Sequence, residues 1–220
     1  QVTLGFELAI TELAAELGID PIEFRLMNAV KEGDANMMGA PYNRIGLREC
    51  LEVARNHAHY KSVVADGAGR GVAMGYWINA GMQSSATLNV IADGHVSVLT
   101  GSPDIGGSRA SMALMASEVL GIPFDHIHPQ VAATDAVGHT DLTGGSRTTL
   151  ATGQAVIQAA EQCVAEMCRR AAAEWNVEPG VVAWSQGAAH YDDQSLTFEE
   201  LAARAGAMGG PLTFSSSLTA

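Results

Sequence analysis

Two glycine-rich segments hold the residues of this chain that are best suited to binding a ligand. The first is Gly101-Ser102-Pro103-Asp104-Ile105-Gly106-Gly107-Ser108-Arg109, and the second is Thr143-Gly144-Gly145-Ser146-Arg147-Thr148-Thr149. An alanine-rich pattern that predicts a helix follows each of them. Glycine lets backbone N–H groups approach a ligand closely, and a helix start presents unpaired donors with partial positive charge. The pair therefore predicts that both loops bind one extended anionic ligand, such as a nucleotide or a pterin phosphate.

Each segment also has a simpler interpretation as a turn before a helix. Ser108 and Ser146 could act as ordinary N-caps, and for one loop alone this interpretation is favoured. Arg109 and Arg147 each follow one of these serines and could either contact a phosphate or form structural ion pairs. The sequence contains neither a Gly-x-Gly-x-x-Gly nor a Gly-Lys-Ser/Thr phosphate loop, which disfavours an unrelated nucleotide-binding domain.

Composition limits the possible partners. The chain has 220 residues, of which 47% are hydrophobic, enough for one large or two small domains. Its formal net charge is −12, so we expect neither nucleic acid nor an anionic membrane as a partner. Cys50, Cys163 and Cys168 lack metal-ligand spacing, and no apolar run is long enough to span a membrane. We therefore expect reduced thiols and a cytoplasmic protein.

Periodicity predicts helices in the first third of the chain and mixed elements afterwards. The first helix should bury Leu4, Leu8, Leu13 and Leu17 and expose Glu7, Glu12 and Glu16. Asp20-Pro21 is a typical start for the second helix. The predicted helices are 4–17, one from 21, 47–59, 111–120, 149–175 and 198–205. The predicted strands are 71–79, 85–92, 95–100, 127–133, a pair within 181–191, and a final strand.

This order predicts an α+β fold with a small mixed sheet packed against helices, rather than strict βαβ alternation. We expect a helical segment over 1–68 and an α+β lobe over 69–220, because Asp-Gly-Ala-Gly at 66–69 is typical of a linker. Gln1 opens almost directly into a helix and the last residues look like a strand, so we expect both ends to lie inside a longer chain. The apolar area exposed there would favour a homodimer.

Several motifs, in order along most of the chain, carry a family resemblance. They include Leu17-Gly18-Ile19-Asp20-Pro21, the first glycine loop followed by Glu118-Val119-Leu120-Gly121-Ile122-Pro123, and the second loop followed by Gly153-Gln154-Ala155-Val156. As a set they resemble the large molybdenum subunit of the xanthine dehydrogenase/aldehyde oxidase family. The resemblance implies a middle fragment of that subunit, which helps bind a molybdopterin cofactor for hydroxylation of an aldehyde or N-heterocycle.

The resemblance also implies the cofactor-binding residues. These are Asp104, Ile105, Gly106, Gly107 and Ser108 in the first loop, and Gly144, Gly145, Ser146, Arg147 and Thr148 in the second. In the family a glutamine usually stands where this chain has Gly107, so Ser108 and Arg109 are the side chains that could replace its contact. The family's arginine-containing loop and its glutamate base fall outside residues 1–220. The chain therefore carries no predicted catalytic residue and no predicted metal ligand.

The same resemblance implies the rest of the assembly. The cofactor would be molybdopterin, in bacteria often as its cytosine dinucleotide, with iron–sulfur centres and FAD on partner subunits or domains. The remainder of the large subunit would complete the site for a small-molecule substrate. By itself the chain would be inactive. A non-catalytic, degenerate module of the same fold that binds no cofactor stays open as the alternative.

Overall fold

A computed structural model of the chain describes residues 1–77 and 79–220. It forms two compact units, Gln1–Tyr76 and Trp77–Ala220. The predicted boundary between residues 68 and 69 stays a prediction.

The first unit is helical, with a small apolar core formed by Ile22, Leu26 and Leu51. Its elements are α1 (Val2–Glu16), α2 (Pro21–Asn28), α3 (Leu47–Asn56) and α4 (Ala58–Lys61). As predicted, α2 begins after Asp20, whose carboxylate accepts two backbone N–H groups of the first turn. The helix predicted over 47–59 is interrupted because His57 adopts an extended backbone and its Nδ1 accepts the N–H of His59.

The face that α1 turns towards its own unit is the opposite of the predicted one. Glu7, predicted to be solvated, is only 6% exposed and accepts hydrogen bonds from Arg25 at 3.1 Å and 2.7 Å. The predicted apolar face is 48–67% exposed and consists of Leu4, Leu8, Leu13 and Leu17. The buried guanidinium explains this orientation, because an unpaired charge at that depth would be strongly destabilising.

The strand predicted over 71–79 is also wrong for the residues that the structure describes, which have no strand partner; Ile78 lies outside them. Side chains take the place of a neighbouring strand here. The Val72 carbonyl accepts from Arg25 at 3.3 Å, and the Met74 N–H donates to Glu7 at 2.9 Å. Because side chains satisfy these backbone groups, the segment needs no neighbouring strand.

The described residues of the second unit form two sheets and three α-helices. Its elements are β1 (Gln83–Val90), β2 (Val96–Thr100), α5 (Ser108–Leu120), β3 (Ile127–Val131), α6 (Gly153–Trp175), β4 (Ala183–Ser185), β5 (Ala188–Tyr191), β6 (Gln194–Thr197), α7 (Phe198–Ala203) and β7 (Leu212–Thr219). The larger sheet has the order β3-β2-β1-β7 and the smaller one β4-β5-β6. Strands β2 and β3 pair in parallel across the α5 crossover, whereas the other pairs are antiparallel. The predicted α+β fold with a mixed sheet is therefore confirmed.

The core of this unit lies between the larger sheet and helices α5 and α6. Val96 and Val98 are fully buried on β2, in the alternation that the sequence predicted. Met112 of α5 belongs to the same buried cluster. A Cβ at Gly153 would lie 2.5 Å from the sulfur of Met115, so the start of α6 approaches α5 more closely than any side chain would allow.

The smaller sheet has one strand more than predicted. Turns at Gln186-Gly187 and Asp192-Asp193 connect its three strands, and the sequence analysis missed β6. A capping box between Thr197 and Glu200 then starts α7.

An ion-pair cluster ties α6 to the segment that follows α7. Glu166 accepts hydrogen bonds from Arg169 and Arg170, and these arginines lower the pKa of its carboxyl group to about 2. Arg170 also donates to the carbonyls of Ala205 and Gly210. The cluster therefore fixes the connection between α7 and β7.

Candidate functional site

The first glycine loop connects β2 to α5 and is organised by Asp104. One carboxylate oxygen accepts the Gly107 N–H at 2.8 Å and the Ser108 hydroxyl at 3.2 Å, while the other accepts Arg109 Nε at 2.8 Å. Arg109 first, and then the Gly107 N–H, hold the pKa of Asp104 well below its usual range. The prediction that Ser108 is the N-cap is wrong: it is the first residue of α5, and the cap is Gly107 at φ +105°.

The tip of this loop is open. Ile105 is 59% exposed, and a Cβ built on Gly106 or Gly107 would meet no atom within 4 Å. The first turn of α5 adds backbone N–H groups that no carbonyl of the helix can reach. Ser108 and Arg109 are both engaged by Asp104. The loop therefore offers backbone donors and free space rather than a replacement for the glutamine side chain.

The second glycine loop lies against the segment that precedes β1. The Ala80 N–H donates to the Gly145 carbonyl at 2.8 Å, and Asn79 Nδ2 donates to the Ser146 carbonyl at 3.1 Å. Gly145 has φ +61°, and a Cβ there would lie 2.6 Å from that of Ala80. A larger residue would therefore push the loop off its support. Ser146, predicted as an N-cap, is exposed at φ +55° and caps no helix.

Arg147 is the buried anchor of the second loop and is fully inaccessible to solvent. Its Nε donates to the Gly81 carbonyl at 2.7 Å. Its Nη1 donates to the carbonyls of Asp141 and Leu142, and its Nη2 donates to the Gln83 carbonyl and the Ser84 hydroxyl. Since a guanidinium has five N–H groups, this set uses its full donor capacity. Arg147 thus shapes the loop, whereas the Arg109 side chain is 54% exposed.

Two threonines of the second loop have buried hydroxyls without a hydrogen-bond partner. Thr148 is 3% exposed, and among the described residues nothing bonds to its Oγ1 or to that of Thr143. Buried polar groups are nearly always paired in folded proteins, so an unpaired one marks a place where a ligand or a water is expected. Thr148 was predicted as a site residue. Thr143 was not, although its position before Gly144-Gly145 was the available signal.

The structure brings the two loops to the same end of the larger sheet. A Cβ at Gly101 would lie 3.2 Å from the Cβ of Thr140, just before the second loop. Ser102 Oγ lies 2.8 Å from Oγ1 of Thr152, which closes the π-helical turn Thr148–Thr152 at the start of α6. One extended ligand would require this proximity.

Neither a metal centre nor a membrane span occurs in the described part of the chain. Over those residues, no three His, Cys, Asp or Glu side chains could together hold a metal ion. His126 and His128 instead stack on His95, with ring centroids 4.7 Å and 5.1 Å from it. No helix there is both long and apolar enough to cross a membrane.

Comparison with known proteins identifies relatives of this chain. In Escherichia coli (strain K12), the aldehyde oxidoreductase molybdenum-binding subunit PaoC is 35% identical over an alignment of 134 residues, which covers 56% of this chain and 18% of that subunit. The putative xanthine dehydrogenase molybdenum-binding subunit XdhA of the same strain is 34% identical over an alignment of 142 residues, which covers 58% of this chain and 19% of the relative. The matched region thus spans about a fifth of the length of these relatives.

Solved structures share the fold. The aldehyde oxidoreductase from Desulfovibrio desulfuricans ATCC 27774 matches with a TM-score of 0.67 and 26% identity, over 97% of this chain and 22% of that one. CO dehydrogenase from Oligotropha carboxidovorans has a TM-score of 0.75 at 21% identity, over 97% of this chain and 31% of that one. The sequence model of one family, described as the molybdopterin cofactor-binding domain, matches residues 47–220. The chain therefore belongs to the molybdopterin cofactor-binding domain family, as its resemblance to the xanthine dehydrogenase/aldehyde oxidase family predicted.

Proposed function

We propose that this chain supplies part of the cofactor site of a molybdenum hydroxylase that oxidises an aldehyde or an N-heterocycle. The observation that carries the proposal is the buried hydroxyl of Thr148, to which none of the described residues bonds and which lies three residues beyond the Gly145 turn. The family resemblance assigns a cofactor contact to this residue. A polar edge of a bound pterin would supply the missing hydrogen-bond partner.

The other residues of the two loops fit such a ligand in different ways. Gly106 and the first turn of α5 offer backbone N–H groups, and Ser146 presents an exposed hydroxyl. The Gly107 N–H is already taken by Asp104, so Gly107 contributes by leaving space in front of the loop. Asp104 and Arg147 act from inside their loops and hold them in shape.

The chain's own residues bind and orient the cofactor. When bound, the molybdenum centre supplies the oxygen-transfer and electron-accepting chemistry. Asp104 is a poor proton acceptor, because Arg109 and the Gly107 N–H lower the pKa of its carboxyl group and occupy its two oxygens. We therefore assign proton abstraction to a residue in another part of the subunit.

The proposed assembly includes the remainder of the large subunit and iron–sulfur and flavin subunits or domains. Two relatives are named as molybdenum-binding subunits, which supports a division of the redox centres among subunits. The exposed leucines of α1 are the kind of surface that another part of such an assembly would cover. A homodimer and a cytoplasmic location stay predictions.

The alternative, a degenerate module that binds no cofactor, has one observation in its favour. Gly107 removes the side chain that the family usually places at the cofactor, and the structure engages Ser108 and Arg109 elsewhere. Cofactor content separates the two functions.

The test uses the full-length subunit that contains this chain, produced together with its partner subunits. Molybdenum, pterin and released CMP are measured per subunit in the wild type, in Thr148→Val and in Thr149→Val. Thr149 is the exposed neighbour and undergoes the same chemical change. We expect near-stoichiometric cofactor in the wild type and in Thr149→Val, and a several-fold loss in Thr148→Val.

Two outcomes would contradict the proposal. A wild-type subunit without molybdenum, in cells that load an active family member, would support the degenerate module. Equal cofactor content in the two threonine variants would show that the Thr148 hydroxyl does not hold the cofactor.

A further inference from the structure

We propose that Thr152 is a positioning residue that couples the two glycine loops through a row of buried hydroxyl groups. The inference rests on the proposed function, because the coupling matters for a ligand that contacts both loops. Thr152 touches neither loop tip, and the sequence analysis did not single it out.

The row consists of three side chains that are almost completely buried. Thr152 Oγ1 lies 2.8 Å from Ser102 Oγ and 2.9 Å from Ser84 Oγ. The exposed fractions are 0% for Thr152, 5% for Ser102 and 0% for Ser84. Ser102 lies at the base of the first loop, and the Ser84 hydroxyl accepts a hydrogen bond from Arg147 of the second. The Thr152 hydroxyl is thus the middle member of a continuous connection between the loops.

The guanidinium sets the direction of this row. Ser84 Oγ accepts from Arg147 and has one proton of its own to donate, and Thr152 lies within reach. In that order Thr152 Oγ1 donates the second bond, to Ser102 Oγ 2.8 Å away; the distance alone allows either hydroxyl to donate. In the reverse order Thr152 would donate to Ser84, and the Ser84 proton would then lie beside the Arg147 guanidinium in a buried site, without an acceptor. The favoured order ends on the Ser102 O–H at the base of the first loop, and each bond polarises the next.

The local backbone brings Thr152 into this position. The turn Thr148–Thr152 is π-helical, and a π turn changes the direction of side chains relative to the regular helix that follows. At the end of this turn Thr152 reaches two serines that belong to β1 and to the first loop. The spacing between the loops is therefore set before any ligand binds, which reduces the entropy lost on binding.

Three variants separate coupling from general packing. Thr152→Val removes the hydroxyl and keeps the branched shape, whereas Thr152→Ser keeps the hydroxyl and should restore the wild-type behaviour. Ser216→Ala is the matched control. Ser216 is 7% exposed on β7 and donates to Gln158 of α6 at 2.7 Å, so it also joins the sheet to α6 through a hydroxyl. It has no part in the row that joins the two loops.

The first readout is hydrogen exchange of the backbone amides in residues 101–109 and 143–149, measured on the full subunit purified without cofactor. We expect Thr152→Val to speed exchange about tenfold in both loops, the factor that corresponds to about one net hydrogen bond. Thr152→Ser should exchange like the wild type. Ser216→Ala should change exchange only around β7 and α6.

The second readout is the molybdenum and pterin content of the same variants produced with cofactor. We expect Thr152→Val to hold several-fold less of both than Ser216→Ala. If the wild type holds no cofactor, the proposed function fails, while the exchange data still test the coupling. If the wild type is loaded and exchange rises in only one loop of Thr152→Val, or in both loops of Ser216→Ala, the role of Thr152 is overturned. Unchanged exchange and cofactor content in Thr152→Val would overturn it as well.

Discussion

Replacing Arg147 tests whether a buried arginine builds the second glycine loop. In Arg147→Met the apolar stem remains, but the acceptors around the guanidinium lose their donor. Three of the five acceptors can bind water instead, because they are carbonyls of exposed or half-buried residues: Gln83, Asp141 and Leu142. The carbonyl of Gly81 and the hydroxyl of Ser84 belong to buried residues and cannot do so easily; Ser84 Oγ keeps only its contact with Thr152.

The expected magnitude follows from those two buried acceptors. Leaving a buried acceptor unsatisfied costs about 1–3 kcal/mol, so the pair gives roughly 2–6 kcal/mol, and we expect about 3 kcal/mol. A change of that size speeds exchange of the protected amides more than about a hundredfold. Hydrogen exchange of residues 79–90 and 141–152 in the full subunit measures it directly.

Arg109→Met is the matched control, because Arg109 follows a serine in the first loop as Arg147 does in the second. Its side chain is 54% exposed and its ion pair with Asp104 is in contact with solvent. We expect no change in exchange over residues 79–90 and 141–152, and only a local, salt-dependent effect in the first loop. Equal protection of those peptides in Arg147→Met and Arg109→Met would refute the anchoring role.

Three further predictions concern the thiols, an ion pair and a glycine. Alkylation followed by mass spectrometry should label exposed Cys50 first and leave buried Cys163 unlabelled until the protein unfolds. The reason is that burial raises the pKa of the Cys163 thiol to about 12. Equal labelling rates of the two thiols would contradict this. The carboxyl of Glu166 has a folded pKa of about 2, below its unfolded value of about 4.3, so its stabilising effect is present above about pH 4 and lost as the pH falls towards 2. Acid titration of Glu166→Gln should accordingly show a stability deficit near neutral pH that disappears by about pH 2, and a pH-independent deficit would argue against it. Gly145→Ala should displace the second loop and lower the cofactor content. Adding Ala80→Gly removes the 2.6 Å contact and should recover part of the loss. If nothing is recovered, the whole effect comes from the positive φ of residue 145.

Local patterns in the sequence were sufficient for most of the secondary structure. Asp20-Pro21 predicted the start of α2, and the alternation of Val96 and Val98 predicted β2. The strand predicted over 71–79 is wrong because apolar spacing shows that a strand is possible, but not whether a neighbouring strand is there to pair with it. In the described residues the nearby polar partners are the side chains of Arg25 and Glu7.

Glu7 shows why burial was harder to predict than helicity. Its spacing placed it with Glu12 and Glu16 on one side of a regular helix. The structure buries it because Arg25, distant in sequence, has to be neutralised inside the first unit. Helical periodicity contains no information about a partner on another helix.

The sequence by itself determined the family, the α+β class and the two glycine loops, because these depend on residue types and short-range spacing. Only the tertiary structure distinguished Arg147 from Arg109, found the unpaired hydroxyl of Thr148, and joined Ser102 to Ser84 through Thr152. These features depend on contacts between segments far apart in the chain. Burial and hydrogen-bond satisfaction are properties of those contacts, so identical local motifs acquired different chemical roles.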